Sequence, residues 1–130
     1  MAKISFDFDG TLIYKDIQDT AKALIAAGHE VIILTTRYED LSMYGGNVTH
    51  DELYRIAKDI GITQVIFTNY VWKYEVIDKY NIDIHIDDNY REEVAPINAK
   101  CKAVAIYSES PDLLTRINKI LEKKNGNHNM

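Results

Sequence analysis

The chain has a single cysteine, Cys101, so no disulfide can close within it, which fits a reducing compartment. It has no Cys/His spacing of the zinc-binding kind, no GxxxxGK[ST] phosphate loop and no GxSxG nucleophile turn. No apolar run approaches the roughly 18 residues that a membrane-spanning helix needs. The N-terminus lacks the basic, apolar and small-residue zones of a secretory leader, so the expected compartment is the cytoplasm, with no membrane partner. Bases are in deficit: 15 against 20 acids, a formal net charge of −5. That balance disfavours a sequence-independent grip on nucleic acid, which needs a basic footprint. Asn47-Val48-Thr49 has the form of a glycosylation sequon, read as chance without a secretory route. Repeats and low-complexity segments are absent too.

What remains is alternation. The chain has 130 residues, 46% hydrophobic and 27% charged, the balance of one globular domain over 1–124 with a flexible tail over 125–130. Short runs rich in β-branched or aromatic residues read as buried strands: Lys3–Phe8, Val31–Thr35, Gln64–Thr68, Ile82–Ile86 and Ala103–Tyr107. Amphipathic stretches between them read as helices. Ile17–Ala27 stops at Gly28, and Thr49–Ile60 opens on a Thr49/Glu52 capping pair and stops at Gly61. Lys73–Tyr80 and Tyr90–Ala99 are shorter. Pro111–Lys124 has Ser110 as cap and Pro111 at its first position. This order predicts a three-layer, Rossmann-like α/β fold, a parallel sheet with helices on both faces. Ligands of such sheets sit at the carboxyl ends of the strands.

Reactive residues gather at those ends. The first strand closes on Asp7-Phe8-Asp9-Gly10-Thr11, two carboxylates two residues apart, which extended backbone would aim the same way. Gly10 lets the chain turn at once. A hard divalent ion such as Mg²⁺ would relieve the repulsion, leaving one aspartate to attack phosphorus or move a proton. The second strand runs into Thr35-Thr36-Arg37, a hydroxyl and a planar fork suited to phosphate, or else an ordinary strand threonine and a solvated charge. Lys73 starts a helix, where a cation is slightly unfavourable unless an anion stands nearby; a plain surface lysine is the alternative. The fourth strand ends in Asp87-Asp88, either metal ligands or a helix-capping pair. His85 reads as a packed or half-exposed histidine rather than a metal ligand.

Together these four strand ends resemble the haloacid dehalogenase (HAD) superfamily of phosphohydrolases, over roughly Lys3 to Ser108. Asp7-Phe8-Asp9-Gly10-Thr11 is similar to its first motif, Thr35 to the second, Lys73 to the third and Asp87-Asp88 to the fourth. The resemblance implies a five-stranded sheet of order 5-4-1-2-3 and a Mg²⁺-dependent phosphatase. It makes Asp7 the nucleophile that forms an aspartyl-phosphate and Asp9 the acid and base. Asp7, the Asp9 carbonyl and Asp87 would hold Mg²⁺, with Asp88 a ligand through water or an orienting neighbour; Thr35 and Lys73 would hold the phosphoryl group, with Thr36 and Arg37 beside them.

The stretches between the motifs are too short for a cap domain, so the resemblance is to a capless member. Such relatives either act on large or protruding phosphorylated substrates or cover the site with a second subunit, so a homo-oligomer covering the site is one of two arrangements the resemblance allows. The loop Tyr38–Val48 is the candidate partial lid, through Tyr38, Met43 and Tyr44, or else a surface loop. Thr35-Thr36-Arg37 also resembles the phosphatase domain of polynucleotide kinase-phosphatases. The expected ligand classes are therefore a phosphorylated small molecule, a nucleotide or a polynucleotide end. The alternative to an enzyme is a receiver-like or catalytically silent signalling or binding module.

Overall fold

The structure, a computed structural model, describes residues 1–126. Five strands carry the fold: β1 (Lys3–Phe6), β2 (Glu30–Thr35), β3 (Val65–Phe67), β4 (Ile84–Asp87) and β5 (Val104–Tyr107). All pair in parallel, in the order β3-β2-β1-β4-β5. The expected 5-4-1-2-3 is this order read from the other edge.

The period of two along each strand divides the molecule into two cores. In β2, Val31 and Ile33 join one apolar cluster while Ile32 and Leu34 join the other. The first cluster packs Ile4, Phe6 and Ile86 beneath α1 (Lys15–Ala26), α2 (Asp51–Ile60) and α5 (Leu113–Gly126). The second packs Ile32, Leu34 and Ile66 beneath α3 (Lys73–Val76) and α4 (Ala95–Lys100), through Val94 and Ile97 among others. Helices therefore cover both faces, as a parallel sheet requires. A leucine-to-alanine change in either core would cost about 2–5 kcal/mol.

Helix boundaries depart from expectation for identifiable reasons. Thr49 does not cap α2: His50 holds the cap position, with no side-chain cap bond, and Thr49 Oγ1 only accepts from Asp51 N at 3.4 Å. The stop at Gly61 holds, at φ +97°, where its N–H reaches Ala57 O. The helix expected over Lys73–Tyr80 ends at Val76 and tightens into a turn over Ile77–Tyr80, closed by Asn81 at φ +56°. The one expected over Tyr90–Ala99 is a wide turn over Tyr90–Val94 followed by α4. Pro96 has no N–H to continue an upstream helix, so it stands at the start of one. Asp112, at φ +52°, delays α5 to Leu113, past Ser110 and Pro111. At its other end α5 reaches Gly126, so 125 and 126 are helical rather than tail; 127–130 lie outside the described residues. No helix among the described residues is long and apolar enough to cross a membrane.

Candidate functional site

β1 ends at Phe6, but Asp7 stays extended and its N–H still donates to Ile86 O at 2.9 Å. The chain then turns through Asp9 and Gly10, and Leu12 N–H returns to Asp7 O at 3.2 Å. Gly10 is required twice. Its φ is +75°, and a Cβ there would overlap the Asp88 carboxylate. Thr11 Oγ1 lies 3.2 Å from Asp7 Oδ2 and 3.3 Å from Asp88 Oδ1, so one hydroxyl bridges the two aspartates.

Lys73 opens α3 and is 1% exposed. Its ammonium donates to Asp7 Oδ1 at 2.8 Å and to Asp87 Oδ2 at 2.6 Å, and it stands 3.7 Å from Glu93 Oε2. That last oxygen is buried with no hydrogen-bond partner. Three carboxyls, those of Asp7, Asp87 and Glu93, thus crowd one ammonium, and Asp88 joins the group through Thr11. Oxygens of Asp7, Asp87 and Asp88 lie within 4.8 Å of one another.

The protonation of this cluster follows from its burial. Desolvation drives the Asp7 carboxyl well above the usual carboxylate range; Lys73 opposes it and Asp87 reinforces it. Burial alone would lower Lys73, but Asp7 and Asp87, with Glu93, hold its ammonium above the ordinary lysine value. Burial would likewise raise Asp87, yet Lys73 and His85 hold it below its ordinary value. Glu93 is pushed up to about 7 by burial, which Lys73 only partly counters.

Behind Asp87 a polar thread enters the second core. Ser5, His85 and Asp87 point to the same face of the sheet, opposite Phe6, Ile84 and Ile86. Ser5 Oγ is 2.6 Å from His85 Nδ1, and His85 Nε2 is 2.8 Å from Asp87 Oδ2. Burial lowers the His85 pKa, so the ring is neutral. An ionised Asp87 can only accept, so Nε2 carries the proton and Nδ1 accepts from the Ser5 hydroxyl. Serine, histidine and aspartate in a row suggest a nucleophile relay. Ser5 and His85 are fully buried, however, and touch no cleft, so the thread orients Asp87.

Asp9 departs from the expected arrangement. It does not share a direction with Asp7, because the backbone leaves the strand between them. Its carboxylate, 59% exposed, accepts a bidentate pair from Arg37, Nη2 at 2.7 Å and Nε at 2.9 Å. Arg37 also lies over the Phe8 ring and donates Nη1 to His50 Nδ1 at 3.2 Å. His50 Nε2 in turn donates to Tyr38 O at 3.0 Å. The Asp9 side chain therefore stands outside the three-aspartate group. Thr35 is buried and accepts from Arg37 N at 3.3 Å. The Tyr38–Val48 loop is built rather than loose: Tyr38 N donates to Tyr44 Oη at 2.9 Å, Glu39 N to Asn69 Oδ1 at 3.0 Å, and Asp40 caps Ser42.

An open cleft of about 760 Å³ lies over these residues. It brings together Asp7, Asp9, Thr36, Lys73, Asp87 and Asp88 from the candidate set; Thr35 and Arg37 are outside its lining. The sequence did not single out Glu93 or Ser5, and it showed His85 without its bonds to Ser5 and Asp87. It also missed Tyr70, which lines the cleft at φ +63° beside Asn69 at φ +55°. Left-handed backbone at a tyrosine costs on the order of 1–2 kcal/mol. Here it is held by Tyr70 N–H to Thr36 O at 2.7 Å and Asn69 N–H to Arg37 O at 3.2 Å. Glu93 alone left a local trace, an acid beside apolar Val94; the other partners come from distant chain.

No family model and no curated protein matches this chain. Among solved structures, it aligns with a universal stress protein in complex with cAMP, at 15% identity and a TM-score of 0.49, over 83% of this chain and 98% of that one. That likeness places no ligand or activity on this chain. The name that structure carries is that of a universal stress protein. The expected membership of the haloacid dehalogenase superfamily, and with it the Mg²⁺-dependent phosphatase working through an aspartyl-phosphate, is corrected on this finding. What stands is the chain's own geometry: a five-stranded parallel α/β sheet with an acidic, lysine-centred cleft at the carboxyl ends of its strands.

Proposed function

We propose that the cleft binds a phosphorylated small molecule of nucleotide type together with one divalent cation, Mg²⁺ being the fitting ion. The observation that carries this is the crowding of the buried carboxyls of Asp7, Asp87 and Glu93 around the single ammonium of Lys73, with Asp88 beside Asp7 and Asp87. An excess of buried carboxyls is costly unless cations offset it. The donors are hard oxygens, which suits Mg²⁺ over zinc or copper. Ligands on one Mg²⁺ stand roughly 3–4 Å apart, so the observed spread needs only a small closure. Asp7, Asp87 and Asp88 would hold the ion, which when bound would draw a phosphate into an otherwise repellent cleft. The protein's own part is orientation. Thr11 ties Asp7 to Asp88, Gly10 leaves room for Asp88, and His85 with Lys73 fixes Asp87. Thr36 would offer a donor for the anion, and Lys73 would act beneath it as a fixed positive charge.

Calorimetric titration with MgCl₂, then with inorganic phosphate in its presence, tests this. Mg²⁺ binding is expected, phosphate binding only after it, and Asp87→Asn should remove both in a chain that circular dichroism shows folded. Absence of Mg²⁺ binding to the folded wild-type chain would overturn the reading.

Enzymatic action on the bound ligand is a second reading. It is favoured by the opposed shifts of Asp7 and Asp87 across one lysine, since titratable groups pushed apart by their surroundings concentrate at catalytic sites. Chromatography of a nucleotide incubated with protein and Mg²⁺ tests it. An unchanged ligand, bound but recovered intact, would restrict the protein to binding.

A further inference from the structure

We infer that the ligand of this cleft is a nucleoside monophosphate whose base is seated on the aromatic rim formed by Tyr70, Trp72 and Tyr90; the inference rests on the phosphate and cation reading above. All three line the same cleft as Asp7 and Lys73. All three are large apolar side chains left exposed, at 58%, 46% and 60%. Scattered apolar exposure is ordinary, but three rings around one acidic cavity are not scattered.

Each ring is braced by a second one. Trp72 stacks on Tyr74 with centroids 6.3 Å apart and planes at 24°, and the Lys100 ammonium lies 4.2 Å from the Tyr74 ring. Tyr90 meets Tyr107 edge-on at 6.1 Å. Tyr70 leans on Tyr38 at 4.7 Å and keeps a backbone conformation that glycine would adopt without strain. Strain held in place by surrounding hydrogen bonds, at a residue that contributes nothing to either core, is a mark of a binding surface. Braced rings lose little freedom on contact with a flat partner, and every nucleobase offers a π-face to stack on.

Charge limits the rest of the ligand. Asp7, Asp9, Asp87, Asp88, Glu92 and Glu93 line the cleft against one cation, Lys73. One phosphate group accompanied by one divalent ion is tolerable there. A triphosphate or a polynucleotide would bring several further negative charges to a wall with no base to receive them. The volume, about 760 Å³, lies within the range of small-ligand sites.

The test compares four probes in MgCl₂ by calorimetry: inorganic phosphate, ribose 5-phosphate, AMP and UMP. Trp72 is the only tryptophan, so its fluorescence reports the rim directly. At least one nucleotide should bind roughly tenfold or more tighter than ribose 5-phosphate, the worth of one stacked base, and quench Trp72. Tyr70→Ala and Trp72→Ala should each remove most of that advantage while leaving phosphate and ribose 5-phosphate affinities unchanged. Phosphate and ribose 5-phosphate binding with no gain from either base would overturn the base seat and leave the phosphate and cation reading standing. Equal losses for all probes in the folded variants would also overturn the seat. No binding by any probe would overturn both.

Discussion

Two cations stand at the carboxyl edge of one sheet, in opposite surroundings. Lys73 is sealed among Asp7, Asp87 and Glu93, whereas Arg37 grips an Asp9 carboxylate that is more than half exposed. Both are ion pairs of ideal length, yet they do different work. An exposed pair is screened and contributes little, so the Arg37–Asp9 fork serves chiefly to clip the Tyr38–His50 loop to the turn after β1. A buried pair gains little over apolar packing, but losing one partner is severe because the other stays desolvated and charged. The Lys73 cluster is therefore a poor way to hold a fold together and a good way to keep several carboxyls gathered at one point.

Lys73→Met breaks this contrast most sharply. It strands two bonded aspartates and should cost about 3–5 kcal/mol in urea unfolding at neutral pH. A loss below about 1 kcal/mol would mean that the cluster behaves like a surface pair. Glu93→Gln should act in the other direction. The folded-state value of Glu93 is about 7 against an ordinary 4.5, so the folded chain binds the extra proton between those values. Its contribution to stability therefore falls as pH rises from about 4.5 to about 7, by on the order of 2–3 kcal/mol. The glutamine variant should flatten that part of the stability–pH curve and be the more stable protein at pH 8. An unchanged slope would place the decline elsewhere. Arg37→Gln should cost no more than about 1 kcal/mol, shrinking in high salt, with the main change being faster proteolysis within 38–48. A loss as large as that of Lys73→Met would erase the distinction between the two cations.

The sheet was legible because its strands are short apolar runs; the division of β2 into Val31 and Ile33 on one side and Ile32 and Leu34 on the other is visible only in the folded chain. Asp7, Asp87 and Asp88 were legible as strand-end residues of unusual type, and Lys73 as a cation at a helix start. Other parts depended on through-space geometry that a linear reading does not contain. The backbone exit after Phe6 separates Asp9 from Asp7 and hands it to Arg37. His85 alternates correctly in the strand, but only the neighbouring β1 shows that Ser5 awaits it. Pro96 and Asp112 moved two helix starts through local stereochemistry that amphipathic spacing does not register. The family resemblance failed for another reason: acids at strand ends are what any cation-using parallel sheet would carry.

The thread from Ser5 through His85 to Asp87 has a spectroscopic consequence. The imidazole proton on Nε2 is shut away from water and held against a carboxylate. Such a proton exchanges slowly and resonates far downfield, clear of the amide envelope. It is a built-in reporter: whatever docks on the outer oxygen of Asp87 must shift that one line, with no label added and no residue changed.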